Sequence, residues 1–319
     1  MFLEKAVVGK NQFWRYFVSI ILVIVALFVG QIPFGIALVF AQTKGTDISE
    51  FSKTMDFESI GVDPNVGLIL VILSFFVGFW GLFLAVKLIH EKPFLAIISA
   101  AKKFRWNRVF YAIGLWFALS ALAELAVYYY DPARYSFDFE LMSFLPLLLV
   151  SFLFLPFQTS FEEIFIRGYL MQGVGLITRY SWIPLVISSL IFGGLHFMNP
   201  EVEQYGLGLM MIYYIGFGIF MAVITIMDDG LELVLGIHAI TNIYASVFVS
   251  YSGGALQTPA LFKLEVMDTK LMLIAWAVIS IIFLYIVQRK YNWQNWNKLF
   301  KKIDFTDKPV ALDPEIHAG

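Results

Sequence analysis

Long apolar stretches alternate with short polar connections along the whole chain. A helix that crosses a bilayer needs about 20 mainly apolar residues. Eight stretches approach or exceed that length, and the fifth is the shortest. They are Trp14–Ala41, Val66–His90, Val109–Tyr130, Leu141–Phe157, Trp182–Phe197, Tyr205–Met227, Leu231–Tyr251 and Leu271–Val287. The pattern predicts an all-α fold, a polytopic membrane helix bundle of about eight transmembrane helices.

The charges between these stretches predict an orientation in the membrane. Residues 87–108 carry six lysines and arginines against one acid, and the C-terminal tail opens with Arg289 and Lys290, followed by Lys298, Lys301 and Lys302. The connection 42–65 is mainly acidic. Since basic connections stay in the cytoplasm, both termini are predicted to be cytoplasmic. Residues 1–290 are expected to form one membrane domain, and residues 291–319 a partly disordered cytoplasmic tail.

Composition narrows the possible functions. Hydrophobic residues make up 60% of the 319 positions and charged residues only 14%, which excludes an ordinary water-soluble domain. The formal net charge of −2 offers no basic surface, so no nucleic-acid partner is expected. The absence of cysteine excludes disulfides, thiolate metal sites and a cysteine nucleophile. Imidazole chemistry depends on four histidines, His90, His196, His238 and His317.

Three charged residues interrupt an apolar segment at "SFEEIFIRGYL", residues 160–170. Charges within a membrane span are costly and are candidates for function. Glu163 and Arg167 are spaced i, i+4, so they share a helix face and can pair. Glu162 points about 100° away from Glu163 and stays free for chemistry. The alternative is that all three residues lie solvated at the cytoplasmic mouth.

Two histidines also fall inside apolar segments. His196 ends "IFGGLH", one turn after Phe192, and His238 precedes Asn242 by one turn in "HAITN". Helix packing through hydrogen bonds is the simpler explanation for each alone. Together with Glu162, these residues supply a carboxylate and an imidazole that can deprotonate water. The second histidine and the amide can donate hydrogen bonds to an oxyanion. The same set equally resembles a two-histidine, one-carboxylate metal site.

Other isolated charges have simpler explanations. Glu124 in the third stretch is expected to have polar partners or to lie near the outer surface. Asp228 and Asp229 precede Gly230 in a turn, and Glu232 follows it, so solvation is expected to accommodate all three acids.

The ordered series "EEIFIR", "FGGLH" and "HAITN" resembles the CAAX-protease and bacteriocin-processing (CPBP, or Abi) family of intramembrane proteases. The motifs lie within residues 155–250. The resemblance implies that Glu162 and His196 activate a water molecule, and that His238 and Asn242 stabilise the oxyanion. Glu163 and Arg167, together with Phe192 of the second motif, would shape the site.

The resemblance leaves the catalytic type open, because the family is described both as glutamate-dependent and as a metalloprotease. A divalent metal such as zinc is therefore a possible cofactor, with Glu162, His196 and His238 as candidate ligands. The implied substrate is a peptide or protein at the membrane, prenylated in eukaryotic members. The implied location is the bacterial inner membrane.

Two other functions compete with proteolysis. One is a non-proteolytic membrane scaffold or bacteriocin-immunity-type protein that retains the fold, against which the intact motifs argue. The other is a transporter with a proton relay, and the sequence has no inverted repeat of the kind common in transporters. Simple alternation of the spans would separate His196 from Glu162 and His238. A short or steeply tilted fifth helix, or a break at Pro156, would let the four catalytic candidates converge around one cavity.

Overall fold

A computed structural model describes residues 1–137, 139–264 and 266–305 of the chain. Six helical segments of this described part are long and apolar enough to cross a membrane. They are α1 (Phe13–Thr43), α3 (Pro64–Leu84) with a π-turn to Ile89, α4 (Trp106–Tyr130), α5 (Leu141–Glu163) with its continuation to Thr178, α9 (Leu207–Asp228) and α11 (Thr269–Lys290). Two shorter apolar helices complete the bundle, α7 (Trp182–Leu195) and α10 (Glu232–Val247). The predicted all-α polytopic bundle of about eight membrane helices is confirmed.

The longest apolar segment continues beyond its predicted end. The prediction ended at Phe157, but α5 runs on to Glu163, into a π-helix over Ile164–Leu170 and then into α6 (Met171–Thr178). The charges at 162, 163 and 167 lower the local hydropathy, and this made the span look shorter. The helix also continues through Pro156, so no break occurs there.

The outer faces of the long helices are apolar. Phe28 of α1, Met142 of α5 and Ile281 of α11 are 72%, 77% and 68% exposed. Water would not tolerate so large an apolar surface, whereas lipid chains solvate it. In contrast, α9 and α10 are largely buried and form the centre of the bundle. The chain is therefore an integral membrane protein.

A small sheet marks one end of the bundle. Strands β1 (Tyr135–Phe137), β2 (Val249–Tyr251) and β3 (Phe262–Leu264) pair in the order β1-β3-β2. β3 is antiparallel to β1 and parallel to β2, with Ser136 and Ser250 both opposite Lys263. The short helices α2 (Ser49–Thr54) and α8 (Pro200–Tyr205) follow the first and fifth membrane helices in chain order. We call this the sheet end.

The opposite end is closed by the N-terminal residues. A 3-10 helix over Phe2–Val7 buries Phe2 and Leu3 completely. The backbone N–H of Phe2 donates to the Asp229 carboxylate at 2.7 Å. The imidazole of His90, only 1% exposed, hydrogen-bonds the Lys10 carbonyl at 2.8 Å. The first residues of the chain are thus part of the folded body.

The expectation that solvation accommodates Asp228 and Glu232 was wrong, because both side chains are buried. Arg105 donates through Nε to Glu232 Oε1 at 2.8 Å and through Nη1 to the Asp228 carbonyl at 3.0 Å. Arg108 pairs with the Asp228 carboxylate. Arg105 is the N-cap residue of α4 and Arg108 lies in its first turn, more than 100 residues before the two acids in the chain. The turn is therefore a buried ion cluster, where pairing offsets part of the desolvation cost.

The first part of the predicted tail also packs on this end. Trp293 is buried and its indole N–H donates to Asp228 Oδ1 at 3.2 Å. Lys298 pairs with Asp229 at 2.5 Å. The remaining tail residues, 306–319 with His317, lie outside the described residues. The prediction of partial disorder there stays a prediction.

Candidate active site

Glu162 and Glu163 end α5 at its junction with the π-helix Ile164–Leu170. Glu163 and Arg167 are both 0% exposed, and Arg167 Nη1 donates to Glu163 Oε1 at 2.9 Å. The predicted i, i+4 pair is confirmed. The π-helix starts directly after the two glutamates, and such interruptions of α-helices are frequent at functional sites.

His238 lies between the two adjacent carboxylates. Its Nδ1 is 2.8 Å from Glu163 Oε1, and its Nε2 is 3.7 Å from Glu162 Oε2. Glu163 Oε1 therefore serves both Arg167 and His238, which is more than the self-neutralising role that its spacing predicted. Glu163 accepts a hydrogen bond from the Arg167 guanidinium as a carboxylate, and a carboxylate can only accept. The proton of the His238–Glu163 hydrogen bond is therefore on His238 Nδ1. Nε2 is left to face Glu162.

His196 follows α7 as its C-terminal cap residue. Its Nδ1 lies 2.7 Å from the Phe192 carbonyl oxygen. Because a carbonyl oxygen can only accept, Nδ1 of His196 donates and its Nε2 is the basic nitrogen of the neutral ring. The hydrogen bond holds the imidazole in the tautomer that a general base requires.

Phe192 joins the motif residues of three helices. Its ring centroid is 4.4 Å from that of His196 and 5.9 Å from that of His238. The guanidinium carbon of Arg167 lies 4.1 Å over the same ring. Stacking on the ring face stabilises a desolvated guanidinium. Phe192, which the sequence marked as a motif position, therefore contacts a side chain of each of the three motifs.

The length of α7 accounts for the position of His196. The helix has 14 residues, which is about 21 Å, less than the roughly 30 Å of the hydrocarbon layer. Because the helix ends early, His196 stays beside Phe192, whose ring contacts His238 of α10 and Arg167. Gly193 lets α9 approach closely, because a Cβ there would be 2.5 Å from Ile215 Cγ1. The fifth membrane helix is thus short, and α5 continues through Pro156 without a break.

Asn242 lies one turn after His238 on α10 and is half-buried. Its side chain has no hydrogen-bond partner among the residues that the structure describes. The amide therefore keeps both N–H groups free on the helix face that carries the His238 imidazole.

Two contacts of the motif residues were missed from the sequence. Gln158 Nε2 donates to Glu162 Oε1 at 3.3 Å, an i, i+4 contact that the spacing could have indicated. Tyr214 of α9 stacks on His196, with ring centroids 4.4 Å apart and an interplanar angle of 27°. Asn199 donates to the Tyr214 hydroxyl at 3.2 Å. Nothing in the sequence marks Tyr214 among the other aromatic residues of its helix.

Unpartnered polar atoms concentrate at this centre. Glu163 Oε2, Arg167 Nε and Nη2 and Gln158 Oε1 are buried and lack hydrogen-bond partners among the described residues. Each such atom costs free energy in the folded protein. A structural core avoids this cost, so the concentration is typical of a functional centre.

The arrangement of the possible ligands does not fit a three-ligand metal site. Within residues 1–137, 139–264 and 266–305, no group of three or more histidine or acidic side chains has an arrangement that could hold a metal ion. Glu162 and His238 approach each other, but Glu163 already accepts from Arg167 and His238. The buried guanidinium would also repel a cation there. We therefore derive no step through a metal.

The chain is similar to known proteins over the region that contains this site. The family model described as "Type II CAAX prenyl endopeptidase Rce1-like" matches residues 141–244. A Bacillus subtilis (strain 168) protein named "Uncharacterized protein YyaK" is 31% identical over 248 residues, 77% of this chain and 81% of that protein. No solved structure matches.

The family match includes every motif residue from Glu162 to Asn242. It supports intramembrane protease activity of the CAAX type in general, in agreement with the apolar bundle around the site. The chain belongs to the type II CAAX prenyl endopeptidase Rce1-like family.

Proposed function

We propose that the protein is an intramembrane endopeptidase that hydrolyses a peptide bond of a membrane-associated or prenylated protein or peptide. The observation that carries the proposal is the contact of His238 with both Glu162 and Glu163 inside a membrane bundle. Three ionisable side chains from two helices are costly there unless they serve a function.

In the proposed reaction, Glu162 and the Nε2 of His196 take a proton from a water molecule. The water oxygen bonds to the carbonyl carbon of the substrate and gives a tetrahedral oxyanion. The free Asn242 amide donates to that oxyanion. The carbon–nitrogen bond then breaks, and the proton taken from water passes to the leaving amine.

His238 needs a second proton to assist in this step. Its Nδ1–H is committed to Glu163, so donation to the oxyanion comes from a protonated Nε2. Glu162 Oε2, 3.7 Å from Nε2, is the nearest carboxylate for exchange of that proton. Glu163 and Arg167 would hold the His238 imidazole in place. The Phe192 ring, which contacts both histidines, would fix the position of one imidazole relative to the other.

The location and partners follow from the same proposal. The substrate would approach through the bilayer, and no nucleic acid would bind. The basic connections near both termini support cytoplasmic termini, and the bacterial relative supports the bacterial inner membrane.

The test compares purified wild type with Glu162→Gln and His196→Ala on matched prenylated and unprenylated peptides. The proposal expects both variants to lose about 100-fold or more in cleavage rate. Glu203→Gln, at an exposed position of α8, is the matched control and should cleave like wild type.

Cleavage by Glu162→Gln at the wild-type rate would discard the mechanism. No cleavage of any peptide by a folded wild type would favour the scaffold or immunity-type function. A parallel series with a chelator separates the catalytic types, since loss of activity that zinc restores would add a metal to the scheme.

A further inference from the structure

A cavity lies near the sheet end, among α4, α9, α10 and α11. Its volume is about 230 Å³. Neither glutamate of the α5 motif lines it, and neither do His196, His238 or Asn242. Thr241 of α10 does line it and accepts a hydrogen bond from the Trp116 indole at 2.9 Å. The cavity therefore borders α10 on a face beside the candidate active site.

Aromatic rings form much of the cavity wall. The six rings that line it belong to Trp116, Tyr135, Tyr213, Tyr244, Tyr251 and Trp276. Trp276 packs edge-on against Tyr213, and its indole N–H is buried without an acceptor among the described residues. Ring faces carry partial negative charge and attract organic cations.

One carboxylate in the wall lacks a cationic partner. Glu124 is half-buried in the membrane helix α4 and accepts a hydrogen bond from the Tyr135 hydroxyl. No lysine, arginine or histidine of the described residues lies within ion-pair distance of Glu124. An ionisable residue in a membrane span is costly unless a partner compensates it.

The nearby arginine is already neutralised. Arg134 lies 2.8 Å from Asp131 Oδ2 and 3.6 Å from Asp268 Oδ2, so two carboxylates share its charge. Arg134 and Asp268 line the cavity together with Glu124. The lining of the cavity thus contains two acidic residues and one basic residue, which favours a cation over an anion.

We propose that this cavity binds a small organic cation with an apolar body, its ammonium group against Glu124 and its body among the rings. An uncharged lipid chain would leave Glu124 without a counter-charge, and an anion would be repelled. The site goes beyond the proposed peptidase function and does not depend on it.

The experiment uses the full chain in a maltoside detergent, since choline detergents carry the same cationic group as the ligand. Benzyltrimethylammonium is titrated while tryptophan fluorescence and the melting temperature are recorded. We expect saturable binding, a rise in melting temperature and at least about tenfold weaker binding of the neutral isostere neopentylbenzene.

Variants locate the site. Glu124→Gln should weaken binding of the cation about tenfold or more, whereas Glu203→Gln, at an exposed acid of α8, should leave it unchanged. Ala275→Leu fills the cavity from α11 and keeps Glu124, so it should abolish binding even if Glu124→Gln folds poorly. Equal binding of cation and isostere, wild-type affinity of Ala275→Leu or no binding of the cation would overturn the proposal.

Discussion

His238 Nδ1 donates to Glu163 Oε1 at 2.8 Å. The buried Arg167 guanidinium donates to the same oxygen at 2.9 Å. The glutamate thus connects a helix of the first motif to a helix of the third. From the sequence, Glu163 was expected to neutralise Arg167 and, with it, to shape the site. Its second contact makes Glu163 the residue that orients an imidazole of the candidate active site.

Glu163→Gln should therefore lower stability by leaving Arg167 unpaired and lower activity by releasing His238, two effects with different causes. Removing one member of a buried ion pair leaves an unpaired charge and costs about 3–5 kcal/mol of unfolding free energy. Adding Arg167→Met removes the orphan charge, so the double variant should recover much of that stability but not the cleavage rate. Unfolding in detergent and peptide cleavage measure the two effects. A double variant that regains activity would show that Glu163 acts only through Arg167.

Tyr214 is predicted to position His196 through its ring. Tyr214→Leu removes the stacked ring and should lower the cleavage rate roughly 10- to 100-fold. Tyr214→Phe keeps the stacked ring and removes the hydroxyl that accepts from Asn199, so its rate should stay close to wild type. Rates on the peptide that wild type cleaves best are the measurement. If both variants lose the same activity, the hydroxyl rather than the ring is what matters.

Gly168 is predicted to be required for the close packing of the π-helix. A Cβ at that position would lie 2.5 Å from the Ile97 carbonyl oxygen. Gly168→Ala should therefore lower the unfolding free energy by about 1–3 kcal/mol. Gly114→Ala on α4 meets no atom within 4 Å and should raise it by up to about 1 kcal/mol. Denaturant titrations in one detergent compare the two, and equal stabilities would contradict the packing argument.

Docking of the N-terminal residues is predicted to weaken in acid. Burial lowers the pKa of His90 to about 4, with Lys92 and Arg15 adding to the shift. The undocked form has the ordinary pKa of about 6.5 and binds more protons between these two values. Docking should thus be complete above about pH 6.5 and be lost progressively towards pH 4.

Hydrogen–deuterium exchange of residues 1–12, corrected for the intrinsic pH dependence, measures this loss of docking. Peptides from α9 should keep their protection over the same range. His90→Gln cannot take up the proton, so its exchange should not change with pH in this window. Constant protection of the wild-type segment from pH 7 to pH 4.5 would contradict the prediction.

The sequence by itself determined the class of fold and the residues of the three motifs. Hydropathy is summed over neighbouring residues, and an i, i+4 pair depends on one helical turn, so both can be read locally. The bundle of about eight helices and the Glu163–Arg167 pair followed in this way.

Only the tertiary structure decided which distant side chains meet. His238 and Glu163 are 75 residues apart, and Arg105 reaches Glu232 across 127 residues. In a turn such as the one around Gly230, the sequence of a solvated acid does not differ from that of a buried and paired acid. The partner that neutralises a charge, the ring that covers a histidine and the cavity beside α10 all depend on how helices pack, and that packing is set by contacts far apart in the chain.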